Sequence, residues 1–310
     1  MFDVHYDLLS RLYYDYVKYS KVTDSTKSDL RMIFNDNNII GNISNLYFMS
    51  ESEMFDEIGL NLSQLSDVNS IFRKCLELLK ELIDERVIPK NTKFIYSIEG
   101  CDFIDSIKQL EELYNSGLRS ILLVWNNPNK YGSGNRGTYG LTTLGKNFIK
   151  KAIELGIIID VSHANEKTFN DILDIVEQSD NSPILIASHS NSRDLMNVPR
   201  NLSYNQLLRL KKLGGYIGIV GYNPFVSNND FKNFYLKHIN YMINVVKFPI
   251  DKILISTDNM NFLESYESTF DIHNILELRN LLLQKYSKDM VDKIMFKNAT
   301  DIYNKVKKTV

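Results

Sequence analysis

Eight short apolar runs, separated by longer stretches of helical period, constrain the fold of this 310-residue chain more than any other feature. They occupy residues 2–4, 45–49, 93–98, 120–124, 157–161, 184–187, 216–220 and 252–256. Ile, Val, Leu, Phe and Tyr dominate them, and several are continuous rather than alternating, as in strands buried on both faces. Helical patterns fall at 68–86, 104–116, 143–155, 166–178, 203–213, 231–246 and 271–285. Thr142 stands where an N-cap belongs, and Gly156 and Gly214 stand where a helix ends in the left-handed region. This alternation predicts a (β/α)8 TIM-type barrel, with residues 1–310 as one domain, rather than an open doubly wound sheet. Residues 131–138, with Gly132, Gly134 and Gly137, read as a mobile loop over one barrel rim, because no strand feeds them into a nucleotide-binding turn.

Composition removes several classes of function. The formal net charge of −2 supplies no electrostatic reason to bind nucleic acid or an anionic membrane. The basic run at 305–308 reads as a solvated helix end, where cations complement the macrodipole. Two cysteines, Cys75 and Cys101, make neither a disulfide scaffold nor a Cys-based zinc site. The opening residues lack the basic and apolar regions of a secretory signal, and no apolar stretch approaches the ~20 residues needed to span a bilayer. The expected location is cytoplasmic.

In a barrel of this kind the site is built where strands end. The first run ends in Val4-His5-Tyr6-Asp7, the third in Ile98-Glu99-Gly100, and the fourth in Val124-Trp125-Asn126. The fifth ends in Ser162-His163, the sixth in Ser188-His189, and the eighth in Thr257-Asp258-Asn259. Three of the five histidines and three carboxylates therefore fall at equivalent topological points. Residues two apart on a strand share a face, so His5 and Asp7 can aim at one ion. His163 and His189 are one strand-plus-helix repeat apart, hence on neighbouring strands. Each residue alone reads as an ordinary hydrogen-bonded strand end; chance would scatter them over helices and both rims. Imidazole and carboxylate ligands in this mixture suit Zn²⁺ or another divalent metal. Five ligands exceed the need of one zinc, and a carboxylate such as Glu99 can bridge two ions. His238 and His273 lie inside helical patterns; His238 reads as a packing or supporting residue and His273 as a surface one.

Together these motifs resemble the membrane dipeptidase (renal dipeptidase) family of zinc peptidases, in its bacterial form. The resemblance runs from Asp3 to about Tyr303. It is carried by Asp3-Val-His5-Tyr-Asp7-Leu, Ile98-Glu99-Gly100 and Gly140-Leu-Thr-Thr-Leu-Gly145. Further carriers are Leu155-Gly-Ile-Ile-Ile-Asp160-Val-Ser-His163, Ala187-Ser-His189-Ser-Asn-Ser-Arg193 and Pro199-Arg200-Asn201-Leu. Leu123-Val-Trp125-Asn126 and Gly214-Gly-Tyr-Ile-Gly218-Ile give it the bacterial character. The resemblance implies two Zn²⁺ ions, or another divalent metal, with His5 and Asp7 on the first, His163 and His189 on the second, and Glu99 bridging them. It implies that Arg200 holds the free carboxylate of a dipeptide substrate, with Tyr222 nearby, and that Asp258 moves the proton. It also allows a homodimer. Two positions depart from the family pattern. Trp125 stands where many members have a histidine that orients the scissile group, a task left to Asn126. The last-strand motif reads Asp258-Asn259-Met260-Asn261 where Asp-Phe-Asp-Gly is usual.

The expected reaction is metal-dependent hydrolysis of a dipeptide by a hydroxide bridging two metals, with Glu99 and Asp258 as the catalytic carboxylates. One alternative is another metal-dependent amidohydrolase, acting on a lactone, a cyclic amide or an N-acyl amino acid. Many barrels of that broader group open with His-x-His, whereas this chain has His5-x-Asp7. The other alternative is a barrel that binds without catalysis. Loss of a metal ligand would mark it, and all five are present.

Overall fold

The computed structural model describes residues 1–36, 39–47, 67–259, 268–270, 272 and 275–307. Eight parallel strands follow one another in sequence order around one sheet. They are β1 (Phe2–Tyr6), β2 (Gly41–Tyr47), β3 (Lys93–Glu99), β4 (Leu118–Leu122), β5 (Ile158–Asp160), β6 (Leu185–Ala187), β7 (Tyr216–Val220) and β8 (Ile253–Ser256). Each pairs in parallel with the next. The sheet closes nearly completely into the expected TIM-type barrel. At its C-terminal rim Tyr6 bridges Asn259, and the Asp258 N–H donates to the His5 carbonyl at 3.1 Å. Asp3 reinforces the seam between first and last strand. Its carboxylate accepts the N–H groups of His5 at 3.2 Å and Thr257 at 3.0 Å, and the Thr257 hydroxyl.

Asp160 does the same between β5 and β6. Its Oδ1 accepts the N–H groups of Ser162 at 3.0 Å and Ser188 at 3.1 Å. A side chain thus takes donors that a longer ladder would have used, which is why these two strands stop after three residues each.

The helices between the strands are α1 (Leu8–Tyr19), α2 (Asp24–Arg31), α3 (Val68–Asp84), α4 (Ile107–Asn115), α5 (Thr143–Glu154) and α6 (Glu166–Glu177). They continue with α7 (Tyr204–Lys212), α8 (Asn223–Val226), α9 (Phe231–Asn244), α10 (Ile275–Leu283), α11 (Lys288–Asp292) and α12 (Asn298–Lys307). The Thr142 side chain caps α5 by accepting the Gly145 N–H, and Gly156 and Gly214 are left-handed at φ 73° and 70°, as the punctuation predicts. Helices α1 and α2 have no counterpart among the expected helical patterns; the aromatic run Tyr13-Tyr14-Asp15-Tyr16 gives α1 little intrinsic helix preference.

The lower barrel interior is apolar. Phe2, Val4, Ile43, Ile95, Ile158, Ile186, Tyr216 and Leu254 pack with Ala299, Ile302 and Val306 of α12, so the C-terminal helix plugs this end. The glycine-containing stretch 131–138 is pinned where a mobile loop was expected. Tyr131 is buried with its hydroxyl on the Ile104 carbonyl, and Asn129 Oδ1 accepts the N–H groups of Tyr131 and Gly132 at 2.9 and 3.1 Å. Gly134 is required there, since a Cβ would stand 1.6 Å from the Trp125 carbonyl oxygen. Residues 48 and 49 of the second expected strand, the surface position proposed for His273, and Met260 and Asn261 of the last-strand motif lie outside the described residues.

Candidate metal centre

The five residues singled out at strand ends converge at the C-terminal mouth of the barrel. His5 is on β1 and Asp7 follows it as the N-cap position of α1; Glu99 is the last residue of β3. His163 and His189 follow β5 and β6. All five are buried. Glu99 sits between the others: Oε2 is 3.0 Å from His5 Nε2, and Oε1 is 2.9 Å from His163 Nε2 and 3.7 Å from His189 Nε2. The two facing Nε2 atoms of His163 and His189 are 2.9 Å apart. Asp258 joins from β8, with Oδ1 3.7 Å from His5 Nε2.

Two of these residues are aimed by backbone conformations unusual for them. His163 has φ 68° and Asp258 φ 54°. A non-glycine residue in the left-handed region costs about 1–2 kcal/mol, and such strain concentrates at functional sites.

Electrostatics show what the cluster lacks. Burial opposes protonation of His5, yet the Glu99 carboxylate, with Asp7 and Asp258 behind it, pushes the imidazole up to about 10. Burial would raise Glu99, but the His5 and His163 rings hold it well below the ordinary carboxylate range. Burial keeps Asp7 well above that range against the pull of His5. Burial, aided by Arg200, drives His163 down to about 3, and burial drives His189 far down as well. His163 and His189 are thus neutral electron-pair donors, and the surrounding carboxylates draw onto His5 a positive charge that a cation would supply in its place. Asp7 Oδ1 is buried with no hydrogen-bond partner among the described residues, and the Nε2 lone pairs of two neutral histidines meet with at most one proton between them. These residues fit a divalent cation. Ligand atoms of His5, Glu99 and His189 all lie within 4.8 Å of one another, as do those of His5, Asp7 and Asp258.

Above the cluster is a cavity of about 370 Å³, with Asp7, Glu99, His163 and Asp258 on its floor. Trp125, Arg200, Tyr222 and Phe225 are in its walls. Arg200 is buried, and its Nε and Nη2 have no hydrogen-bond partner among the described residues. Its guanidinium carbon lies 5.2 Å from the centre of the Phe225 ring, and burial lowers its pKa to about 10. The Trp125 ring centre is 5.8 Å from that of His163 and 5.0 Å from that of Tyr47. Asn126 both lines the cavity and sets its Oδ1 3.0 Å from His163 Nδ1. His238 lies away from the cluster: its Nδ1 accepts the Ser192 N–H at 3.2 Å and its Nε2 faces the Val226 carbonyl at 3.0 Å.

The sequence profile of one family, described as membrane dipeptidase (peptidase family M19), matches residues 1–310. The chain belongs to the membrane dipeptidase family. Membership in a family of metallopeptidases implies a divalent metal, in agreement with the donor set. Within the described residues no helix is long and apolar enough to cross a membrane. A Klebsiella pneumoniae protein of the pqqA 5′ region is 31% identical over 217 residues, covering 65% of this chain and 77% of that protein. An Acinetobacter calcoaceticus protein of the PQQ-III 3′ region is 31% identical over 172 residues, 51% of this chain and 53% of that protein, so the match spans about half its length. In fold, the chain is similar to a metallo peptidase from Rhodobacter sphaeroides liganded with a phosphinate mimic of the dipeptide L-Ala-D-Ala. The TM-score is 0.76 at 20% identity, covering 100% of this chain and 99% of that one.

Three buried polar residues behind the cluster were not singled out from the sequence: Asp3, Asp160 and Ser188. The available signal was alternation along the strands, which turns Asp160 and Ser188 towards the barrel interior just before a histidine.

Proposed function

We propose that this chain hydrolyses dipeptides with two divalent ions, Zn²⁺ in the first instance. His5 and Asp7 would hold one, His163 and His189 the other, and Glu99 both. The observation that carries this reading is the placement of a buried imidazole and carboxylate donor set on one cavity with Arg200, whose Nε and Nη2 have no hydrogen-bond partner among the described residues. Bound there, the ions would supply Lewis acidity at the scissile carbonyl and an activated water, as a bridging hydroxide, at neutral pH.

The chain's own groups divide the remaining tasks. Arg200 lines the cavity and has two buried donor nitrogens, Nε and Nη2, without a partner among the described residues, and its planar fork suits the two-oxygen carboxylate at the end of a short substrate. Tyr222 lines the same wall, and Trp125 packs as a flat face beside His163. Asp258, pushed up to about 7 by burial, can both accept and return a proton near neutral pH. The cavity is at the small end of the ~300–1,000 Å³ typical of ligand sites, which favours two residues over a longer peptide.

Metal analysis of the purified protein, with dipeptide hydrolysis measured before and after chelation, tests the reading. About two metals per chain and activity lost to the chelator and restored by Zn²⁺ are expected; metal-free, fully active protein would overturn it. A panel of dipeptides, lactones and N-acyl amino acids separates the dipeptidase from a wider amidohydrolase. Arg200→Ala should lower kcat/KM for dipeptides by about 10²–10³-fold with metal content intact. An unchanged kcat/KM removes Arg200 from the substrate site.

A further inference from the structure

Beneath the metal cluster one hydroxyl serves two histidines. Ser188 is fully buried, and its Oγ lies 3.1 Å from His5 Nδ1 and 2.8 Å from His189 Nδ1. The two rings stand 3.7 Å apart, centre to centre. On its other side, the Asp160 carboxylate accepts the Ser188 N–H at 3.1 Å, and the Ser188 side chain favours its ionised form. The main chain is fixed here as well. A Cβ on Gly218 would stand 1.8 Å from the Ser188 carbonyl oxygen, so the neighbouring strand leaves room for this backbone only as glycine.

Proton counting gives the arrangement its direction. His5 and His189 both turn Nε2 towards Glu99. For each Nε2 to offer a lone pair to a cation, the ring's single proton must sit on Nδ1, and Nδ1–H then needs an acceptor. A serine hydroxyl has two lone pairs and one proton. It can accept from both rings only if its own proton goes elsewhere, and Asp160 is the acceptor at hand. The one donor and two acceptor positions of the hydroxyl are then all used.

We propose that Ser188, held by Asp160, is a positioning residue that fixes the metal-binding tautomer of one histidine in each metal set, so that both ions depend on a single hydroxyl. The proposal rests on the two-metal reading above. Asn126 provides the internal contrast, because its Oδ1 meets only His163 Nδ1, at 3.0 Å, and so supports the second set alone.

The test is metal affinity in the full chain. Wild type, Ser188→Ala and Asn126→Ala are stripped with a chelator and titrated with Zn²⁺ against a chromophoric competitor. The d–d spectra of the Co²⁺-loaded proteins are recorded alongside. Loss of a group that orients a metal-bound histidine typically costs 10–100-fold in affinity. Ser188→Ala should therefore weaken both binding steps by roughly that factor and change the Co²⁺ spectrum at both, whereas Asn126→Ala should weaken one. Thermal unfolding of the metal-free and Zn²⁺-loaded proteins separates positioning from packing: Ser188→Ala should lose more stability relative to wild type with metal than without it. Two wild-type-like affinities in Ser188→Ala, weakening of one step only, or an equal loss of stability with and without metal each overturn the proposal. Wild-type protein that binds no metal overturns the two-metal reading itself, a result distinct from these.

Discussion

The two ends of the barrel are built from the same eight strands and opposite chemistry. At the lower end the strands turn Phe2, Val4, Ile95, Ile158, Ile186 and Leu254 inward, and α12 closes over them with Ala299, Ile302 and Val306. At the upper end the same strands finish in His5, Glu99, His163, His189 and Asp258, with two residues in the left-handed region and carboxylates taking the place of ladder bonds. Apolar burial is not directional and does not depend on protonation. Buried polar groups stabilise only when every partner is present and in the right charge state. The lower end should therefore hold the fold unconditionally, and the upper end only on conditions that also set its activity.

The sharpest way to break this division is Glu99→Gln, which keeps the shape of the bridging side chain and removes its charge. Metal content should fall below one ion per chain, and kcat/KM for dipeptides should drop by about 10⁴-fold, because a Lewis-acid contribution of several kcal/mol goes with it. Both ions retained with near-normal turnover would mean that the upper end is not organised around Glu99. The matching change below is Ile302→Ala, in the plug helix, where the side chain is buried against the strand interior. Urea unfolding should show a loss of about 2–4 kcal/mol, with metal content and kcat/KM unchanged well below the transition. A fall in kcat/KM at full occupancy would show that the two ends are coupled and the division false.

The sequence made the upper end easier to read than the surroundings that hold it. The five cluster residues are chemically distinctive and follow directly on apolar runs, so period and residue type select them together. Arg200 is different: its position in a loop gives no periodicity, and only the resemblance to a family placed it near the site, where it is buried with Nε and Nη2 lacking a partner among the described residues. Ser188 and Asp160 were passed over because serine and aspartate are common at strand ends, and their roles lie in contacts remote in sequence, Ser188 to His5 of β1 and Asp160 to the Ser188 N–H beyond β6. Helix α1 was missed because aromatic residues lower local helix preference, which tertiary packing of Leu8, Leu9 and Leu12 then overrides. The expected mobile rim loop failed for a related reason, since glycines that suggest freedom in a sequence here permit close backbone approach.

The smallest predicted effect concerns how the upper end responds to acid. His238, on α9, is buried and accepts the Ser192 N–H at Nδ1 while Nε2–H donates to the Val226 carbonyl, an arrangement available only to the neutral ring. Burial pushes its pKa from 6.5 down to about 4. Between these values the unfolded chain binds a proton that the folded chain refuses, so this histidine makes stability fall as pH drops through the window and adds no further loss below it. By pH 5 the loss is about 2 kcal/mol, at about 1.4 kcal/mol per pH unit below 6.5. Asp3 and Asp258, raised by burial to about 6 and 7, act in the opposite sense, since their folded forms hold protons that the unfolded chain has released. A single pH profile therefore mixes signs, and the informative quantity is the difference between wild type and His238→Gln. Measured by urea unfolding of chelated protein at pH 7.5 and 5, the variant should lose less stability on acidification than wild type by about 2 kcal/mol. Equal losses would mean that His238 is not held neutral, and that the loop carrying Arg200 does not share the conditional stability assigned to this end of the barrel.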